Sequence, residues 1–203
     1  MSVRSEPFVW IHLVGIAIFP ILVIVTLLGL TVGDSYSHLI ELPLLAAIAI
    51  LPILLMQLRR PFDIFSVLFL SLAPESLSES QRKILSLFKT AAHKVWSIAA
   101  ASMMLVLLWL IYQLSPLVLG IASFIPQWRV LGLGIAAIAF LGSNLFLQIP
   151  LSVLQVLVTP ESKFTQIEPY PIEALGSSFT IPGVKVNKIL WFGSPPPQVE
   201  ETN

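Results

Sequence analysis

FVWIHLVGIAIFPILVIVTLLGLTVG, residues 8–33, carries no charged side chain. At about 1.5 Å per residue, a helix of this length crosses a hydrocarbon core of ~30 Å with some tilt. Signal-peptide apolar regions are shorter, about 7–15 residues, and end in a small-residue cleavage site. Thr31-Val32-Gly33-Asp34 is a poor version of one, so a retained anchor is expected. Three more uncharged apolar runs follow, at residues 42–58, 95–128 and 130–158. Threading the chain through four spans puts Arg4, Arg59, Arg60, Arg82, Lys83, Lys89, Lys94, Lys163, Lys185 and Lys188 on one face and leaves only Arg129 on the other. Basic residues of short loops stay on the cytoplasmic side, so this asymmetry predicts both the span count and cytoplasmic termini.

Composition agrees. Of 203 residues 56% are apolar and 11% charged, and the mean hydropathy is +0.91. Soluble chains carry about 25% charged residues. The net charge of zero offers no basic field for nucleic acid. The absence of Cys removes disulfides, thiol catalysis and Cys-ligated metals. The expected fold is an all-α membrane protein. A four-helix transmembrane domain fills residues 1–158, with helical spans at about 8–33, 39–58, 95–114 and 130–150. Residues 159–203 form a short, largely irregular cytoplasmic tail.

Pro20 removes a backbone donor and should kink span one near its middle, and span two contains Pro52. Glu41 is expected to snorkel outward and lengthen the second span. Between spans two and three lies a loop rich in cations. Pro61 can start a helix at its first position, and residues 62–73, too short to cross, predict an interfacial helix. Ser78-Glu79-Ser80-Gln81 fits a capping box and opens a second helix over 79–94. Ile84, Leu85, Phe88, Ala91, Ala92, Val95 and Trp96 fall on its apolar face. Arg82, Lys83, Lys89, His93 and Lys94 fall on the other. A basic amphipathic helix of this kind binds anionic lipid or a partner. Arg59, Arg60, Arg82, Lys83, Lys89 and Lys94 are therefore the candidate partner- or lipid-binding residues.

Gly132, Ala136, Ala139 and Ser143 form a small-residue stripe on span four, and Ser97 and Ala101 match it on span three. Such stripes mark close helix packing. Gly29 and Gly33 make a similar pair near the end of span one. Asn144 and Gln148, one turn apart, suit interhelical hydrogen bonds. His12 lies within a span and is the candidate axial ligand should a haem or chlorophyll be bound. No HExxH, GxSxG, paired intramembrane Asp or phosphate-binding Gly loop is present, so no catalytic residue is assigned. In the tail, Pro182-Gly183 suits a type II turn joining residues 179–181 and 184–186 as a small hairpin. Trp191 and Phe192 are placed to press back onto the interface.

The chain resembles a family of cyanobacterial membrane proteins, the low-complexity tail membrane proteins. The resemblance rests on Ser5-Glu6-Pro7-Phe8-Val9-Trp10-Ile11-His12-Leu13, Arg60-Pro61-Phe62-Asp63-Ile64-Phe65 and Gln81-Arg82-Lys83-Ile84-Leu85-Ser86-Leu87-Phe88-Lys89. It continues through Pro126-Gln127-Trp128-Arg129 and Gly142-Ser143-Asn144-Leu145-Phe146-Leu147-Gln148-Ile149-Pro150, and reaches Glu168-Pro169-Tyr170-Pro171 and Phe179-Thr180-Ile181-Pro182-Gly183. The tail here is short for the name. The resemblance implies a thylakoid or plasma membrane of a cyanobacterium and carries over no active site. The expected function is a non-enzymatic assembly, scaffold or accessory factor that contacts membrane lipids and other membrane proteins. A small oligomeric transporter or channel, or a pigment- or haem-binding subunit through His12, is the alternative.

Overall fold

The computed structural model describes residues 3–67, 69–122 and 128–189. It is mostly helical. Four helical stretches are long and apolar enough to cross a membrane: Pro7–Leu30, His38–Arg59, Ala91–Ile121 and Arg129–Leu157. The N-terminus, the loop between spans two and three, and the tail meet at one end, called the loop end here. Val3, Phe8, Phe65, Leu85, Phe164 and Phe179 share a single core there. The opposite end, at Arg129, is the far end.

Span one is α1 (Pro7–Val14) and α2 (Ile18–Leu30), joined by a 3-10 turn at Gly15–Ala17. The turn sits just before Pro20, whose ring and missing N–H disturb the preceding turn. Span two is α3 (His38–Ala49) and α4 (Leu51–Arg59), parted at Ile50 two residues before Pro52. The Ser37 hydroxyl caps α3 by accepting from the Leu39 N–H. The break before Pro20 falls where the sequence places a kink.

The loop departs from expectation. The described residues of 62–73 form no helix; they make an antiparallel pair, β1 (Ser66–Val67) with β2 (Leu70–Leu72). The run is rich in β-branched and aromatic residues, and the tail supplies the partner that makes a sheet the better outcome. Strand β3 (Val184–Val186) lies parallel to β2, so the sheet order is β1-β2-β3. The tail segments 179–181 and 184–186 therefore make no hairpin with each other. Thr180 instead bridges to Phe62, and Gly183 turns the chain at φ +74°. The tail is correspondingly more ordered than expected, with α8 (Glu161–Thr165) and α9 (Ile172–Ser178) ahead of β3. Trp191 and Phe192 lie outside the described residues.

The capping box forms as read, with Ser78 and Gln81 reciprocally bonded at the start of α5 (Glu79–Leu87). The helix does not run on to residue 94. It stops at Phe88, and Thr90 caps a new helix, α6 (Ala91–Leu114). That restart changes which face is buried. Ile84, Leu85 and Phe88 are buried, but Ala91, Ala92, Val95 and Trp96 are exposed and His93 is inside.

Span four, α7 (Arg129–Leu157), is the central helix. It packs most closely on α2, through glycine. A Cβ on Gly132 would lie 2.5 Å from the Gly29 carbonyl oxygen, and one on Gly29 would lie 2.7 Å from the Ala136 amide. Gly132, Ala136, Ala139 and Ser143 are all buried, as are Ser97 and Ala101 on α6. Gly33, the other half of the pair near the end of span one, instead takes a left-handed turn at φ +68°.

Glu41 does not snorkel. It is fully buried and forms a bidentate pair with Arg129, whose Nε donates to Oε1 at 2.7 Å and whose Nη2 donates to Oε2. The Tyr112 hydroxyl donates to Oε2 at 2.7 Å, and the Tyr36 amide to Oε1 at 3.0 Å. Arg129 Nη1 donates to the Leu30 and Val32 carbonyls at 2.7 and 3.2 Å, capping the end of span one. A carboxylate paired with a guanidinium in fork geometry, with its remaining lone pairs filled, is the arrangement that makes burial tolerable.

Two predictions follow from this packing. Gly132→Ala should destabilise the protein in detergent by about 1–3 kcal/mol through overpacking, whereas Gly134→Ala, where a Cβ meets nothing within 4 Å, should leave it unchanged or slightly firmer. Arg129→Met should cost about 3–5 kcal/mol because it strands a buried carboxylate, and adding Glu41→Leu should recover most of that loss. Thermal unfolding of the two singles and the double tests the coupling; additive losses would refute it.

Candidate functional site

Six cations of the loop were the sequence's candidates for a lipid- or partner-binding face. The structure sets three of them against the tail. Arg60 Nη2 donates to the Gly176 and Phe179 carbonyls at 2.8 and 3.0 Å. Lys89 Nζ donates to the Ser178 carbonyl at 2.6 Å and to the Arg59 carbonyl at 3.1 Å, and stands 5.0 Å over the Phe179 ring. Both cations therefore sit at the C-terminal end of α9, where orphan carbonyls and the helix dipole favour positive charge. Arg82 Nη1 donates to the Tyr170 carbonyl at 3.2 Å, and the Ser86 hydroxyl to the Glu168 carbonyl at 2.8 Å. Lys83 pairs with Glu79 at 3.4 Å along α5. Arg59 and Lys94 are exposed.

Loop and tail thus form one folded platform against the bundle. Phe179 is fully buried, edge-on to Tyr170 at 5.2 Å. The Thr180 amide donates to the Pro61 carbonyl at 2.9 Å, and the Asp63 amide to the Thr180 carbonyl at 3.0 Å. Gln81, besides closing the capping box, donates to Glu6 at 3.3 Å and ties the N-terminus to α5. Burial raises the Glu6 carboxyl above the usual range, offset in part by Gln81 and the Phe8 amide. Lys89 is lowered, first by desolvation and then by repulsion from Lys94 and Arg60.

His12 is half-buried in this region. Its Nδ1 is 2.9 Å from the Phe8 carbonyl, its ring is 5.9 Å from that of Phe62, and the Ser66 backbone lies beside it. These contacts give His12 a structural task, joining α1 to the hairpin. Asn144 Nδ2 donates to the Ala49 carbonyl at 3.0 Å, at the break in span two, and Gln148 Nε2 to Asn144 Oδ1 at 3.0 Å. Sequence reasoning missed a neighbouring set of buried polar side chains, Gln57, His93 and Gln155. Gln155 and the Gln57 backbone lie beside the His93 ring, yet neither ring nitrogen has a hydrogen-bond partner. The signal available was Thr90, an N-cap that rotates His93 inward. Glu41, too, was visible, but its partner is 88 residues away in sequence.

Asp63 was also overlooked. It is 2% exposed, accepts the Phe65 amide at 2.9 Å, and burial pushes its carboxyl up to about 6 from 3.8. The folded protein holds this proton more tightly than the unfolded chain. Its favourable contribution is complete below about pH 4 and is lost as pH rises through about 6, a difference of roughly 3 kcal/mol. Asp63→Asn keeps the acceptor for Phe65 and removes the buried charge. The variant should be the more stable at pH 8, with the advantage shrinking between pH 7 and pH 4. Unfolding midpoints across that range check it; an advantage that grows on acidification would refute it.

A family model described as low-complexity tail membrane protein-like matches residues 5–191. No match is found among curated proteins or among solved structures. The matched stretch takes in all four spans, the loop and the folded part of the tail. Length and hydropathy of the spans and the family's own description agree on a membrane protein, and the chain belongs to the low-complexity tail membrane protein-like family.

Proposed function

We propose that the protein is a non-enzymatic membrane accessory factor that binds other membrane proteins, with its loop end and both termini in the cytoplasm. The observation that carries this reading is the platform. Arg60, Arg82 and Lys89 spend their charge on folding the tail against the loop, which builds a shaped surface at one end of the bundle. Polar groups within the spans support it. Asn144 holds the broken second span, and Glu41 and Arg129 neutralise each other. Residues 130–142 of the central helix carry no polar side chain. A channel or transporter would need a polar path past that stretch. Orientation rests on the basic residues gathered at the loop end. The family resemblance adds a cyanobacterial thylakoid or plasma membrane, with photosynthetic complexes as the nearby clients.

Affinity purification of the tagged protein in mild detergent tests the proposal. One or more membrane proteins should co-purify in fixed ratio, and should be lost from Arg60→Ala/Lys89→Ala, which frees the end of α9. Limited proteolysis within residues 160–189 verifies that the tail is released while the spans stay inserted. Recovery of the protein alone, or with lipid only, overturns the reading.

A further inference from the structure

Where β2 begins, the platform leaves apolar side chains of the hairpin uncovered. Phe69 is 78% exposed and Leu70 44%, and beside them Val184 of β3 is 66% exposed. An apolar tip of this kind is costly in water, so what it faces matters.

Three observations place it. The first is depth. Phe62 and the Ser66 backbone flank the His12 ring, and Phe65 meets Phe8 at 5.5 Å between ring centroids. His12 lies five residues into the first span, about 7–8 Å along the helix at 1.5 Å per residue. Val67 packs on the same core as Leu13 and Leu145, both span residues. The hairpin therefore runs alongside the opening turns of α1 rather than hanging beneath them. The second is continuity. Trp10, Ile11 and Val14, on those same turns, are 47%, 39% and 70% exposed and must face lipid in a membrane. The third is rigidity and charge. Val184 N–H donates to the Phe69 carbonyl at 2.8 Å, and a Cβ on Gly183 would fall 2.0 Å from that carbonyl oxygen. Only glycine lets the tail lie so close, and it holds Phe69 in place. Exposed Lys185 follows directly.

We propose that Phe69, Leu70 and Val184 form a membrane-inserted β-wedge, seated in the interface of the leaflet at the loop end, with Lys185 toward anionic headgroups. A rigid apolar tip with an adjoining cation is the chemistry of interfacial lipid binding. The loop and tail then hold the membrane jointly, as a contact separate from the four spans.

The absence of Cys makes the test direct. Single variants Phe69→Cys, Leu70→Cys and Val184→Cys carry a nitroxide in nanodiscs of phosphatidylcholine with phosphatidylglycerol, one protein per disc. Val14→Cys gives the lipid reference and Glu79→Cys, at a side chain 66% exposed, the aqueous one. Collision with oxygen relative to a water-soluble nickel chelate should be several-fold higher at the three wedge positions than at Glu79 and approach the value at Val14. Nickel accessibility equal to that at Glu79 overturns the proposal. Shielding from both reagents also overturns it, because the tip would then be covered by protein. All three positions are exposed, and an unchanged unfolding midpoint for each labelled variant qualifies it for the comparison.

Discussion

Glu41 and Arg129 together decide how the four spans can be arranged. Neither is tolerable alone at its depth, since an unpaired buried charge costs several kcal/mol. Their cluster reaches every span: the carbonyl end of the first through Leu30 and Val32, Glu41 of the second, Tyr112 of the third and Arg129 of the fourth. Exchanging the pair for apolar residues need not weaken the protein. What the pair supplies is selection, because a rotated or shifted helix leaves a charge without its fork. The glycine crossing of α2 on α7 at Gly29 and Gly132 acts alongside it, setting the distance while the ion pair sets the register.

At the loop end the same logic runs with different chemistry. There Arg60, Lys89 and Arg82 satisfy backbone carbonyls of the tail. A lysine at the end of a short helix, desolvated and crowded by other cations, is held there because the carbonyls of α9 and the Phe179 face favour it. Loop and tail are therefore not two appendages. Without β3, β2 keeps only β1 as a neighbour; without the loop cations, α9 lacks a cap.

How much of this was legible follows from range in sequence. The spans, the break before Pro20 and the capping box at Ser78 all depend on residues a few positions apart or on composition. The hairpin does not. Residues 62–72 are a short apolar run, for which periodicity alone does not separate helix from strand. What separates them is β3, more than a hundred residues on, pairing Leu70 with Val184. Glu41 was misread for the same reason. Its burial makes sense only with Arg129 in view, and one sequence offers no sign that the two meet. His93 was recoverable, since Thr90 is a good cap and a cap resets the helical phase.

The tail gives the family its description, and here its described part is structure rather than low complexity. Its ordering costs are offset in three ways: Phe179 and Leu175 enter the core, Thr180 and Val184 take backbone partners, and the loop's Arg60 and Lys89 supply the cap. The burial is mutual, because the tail's aromatic side chains complete a core that the loop and the span ends leave open. An N-terminal segment, a loop and a tail, each too small to fold by itself, become stable by sharing one core at the membrane surface. That dependence couples the tail to the spans. A force on the tail is borne by the loop, and through Phe65 and Phe8 by the first span.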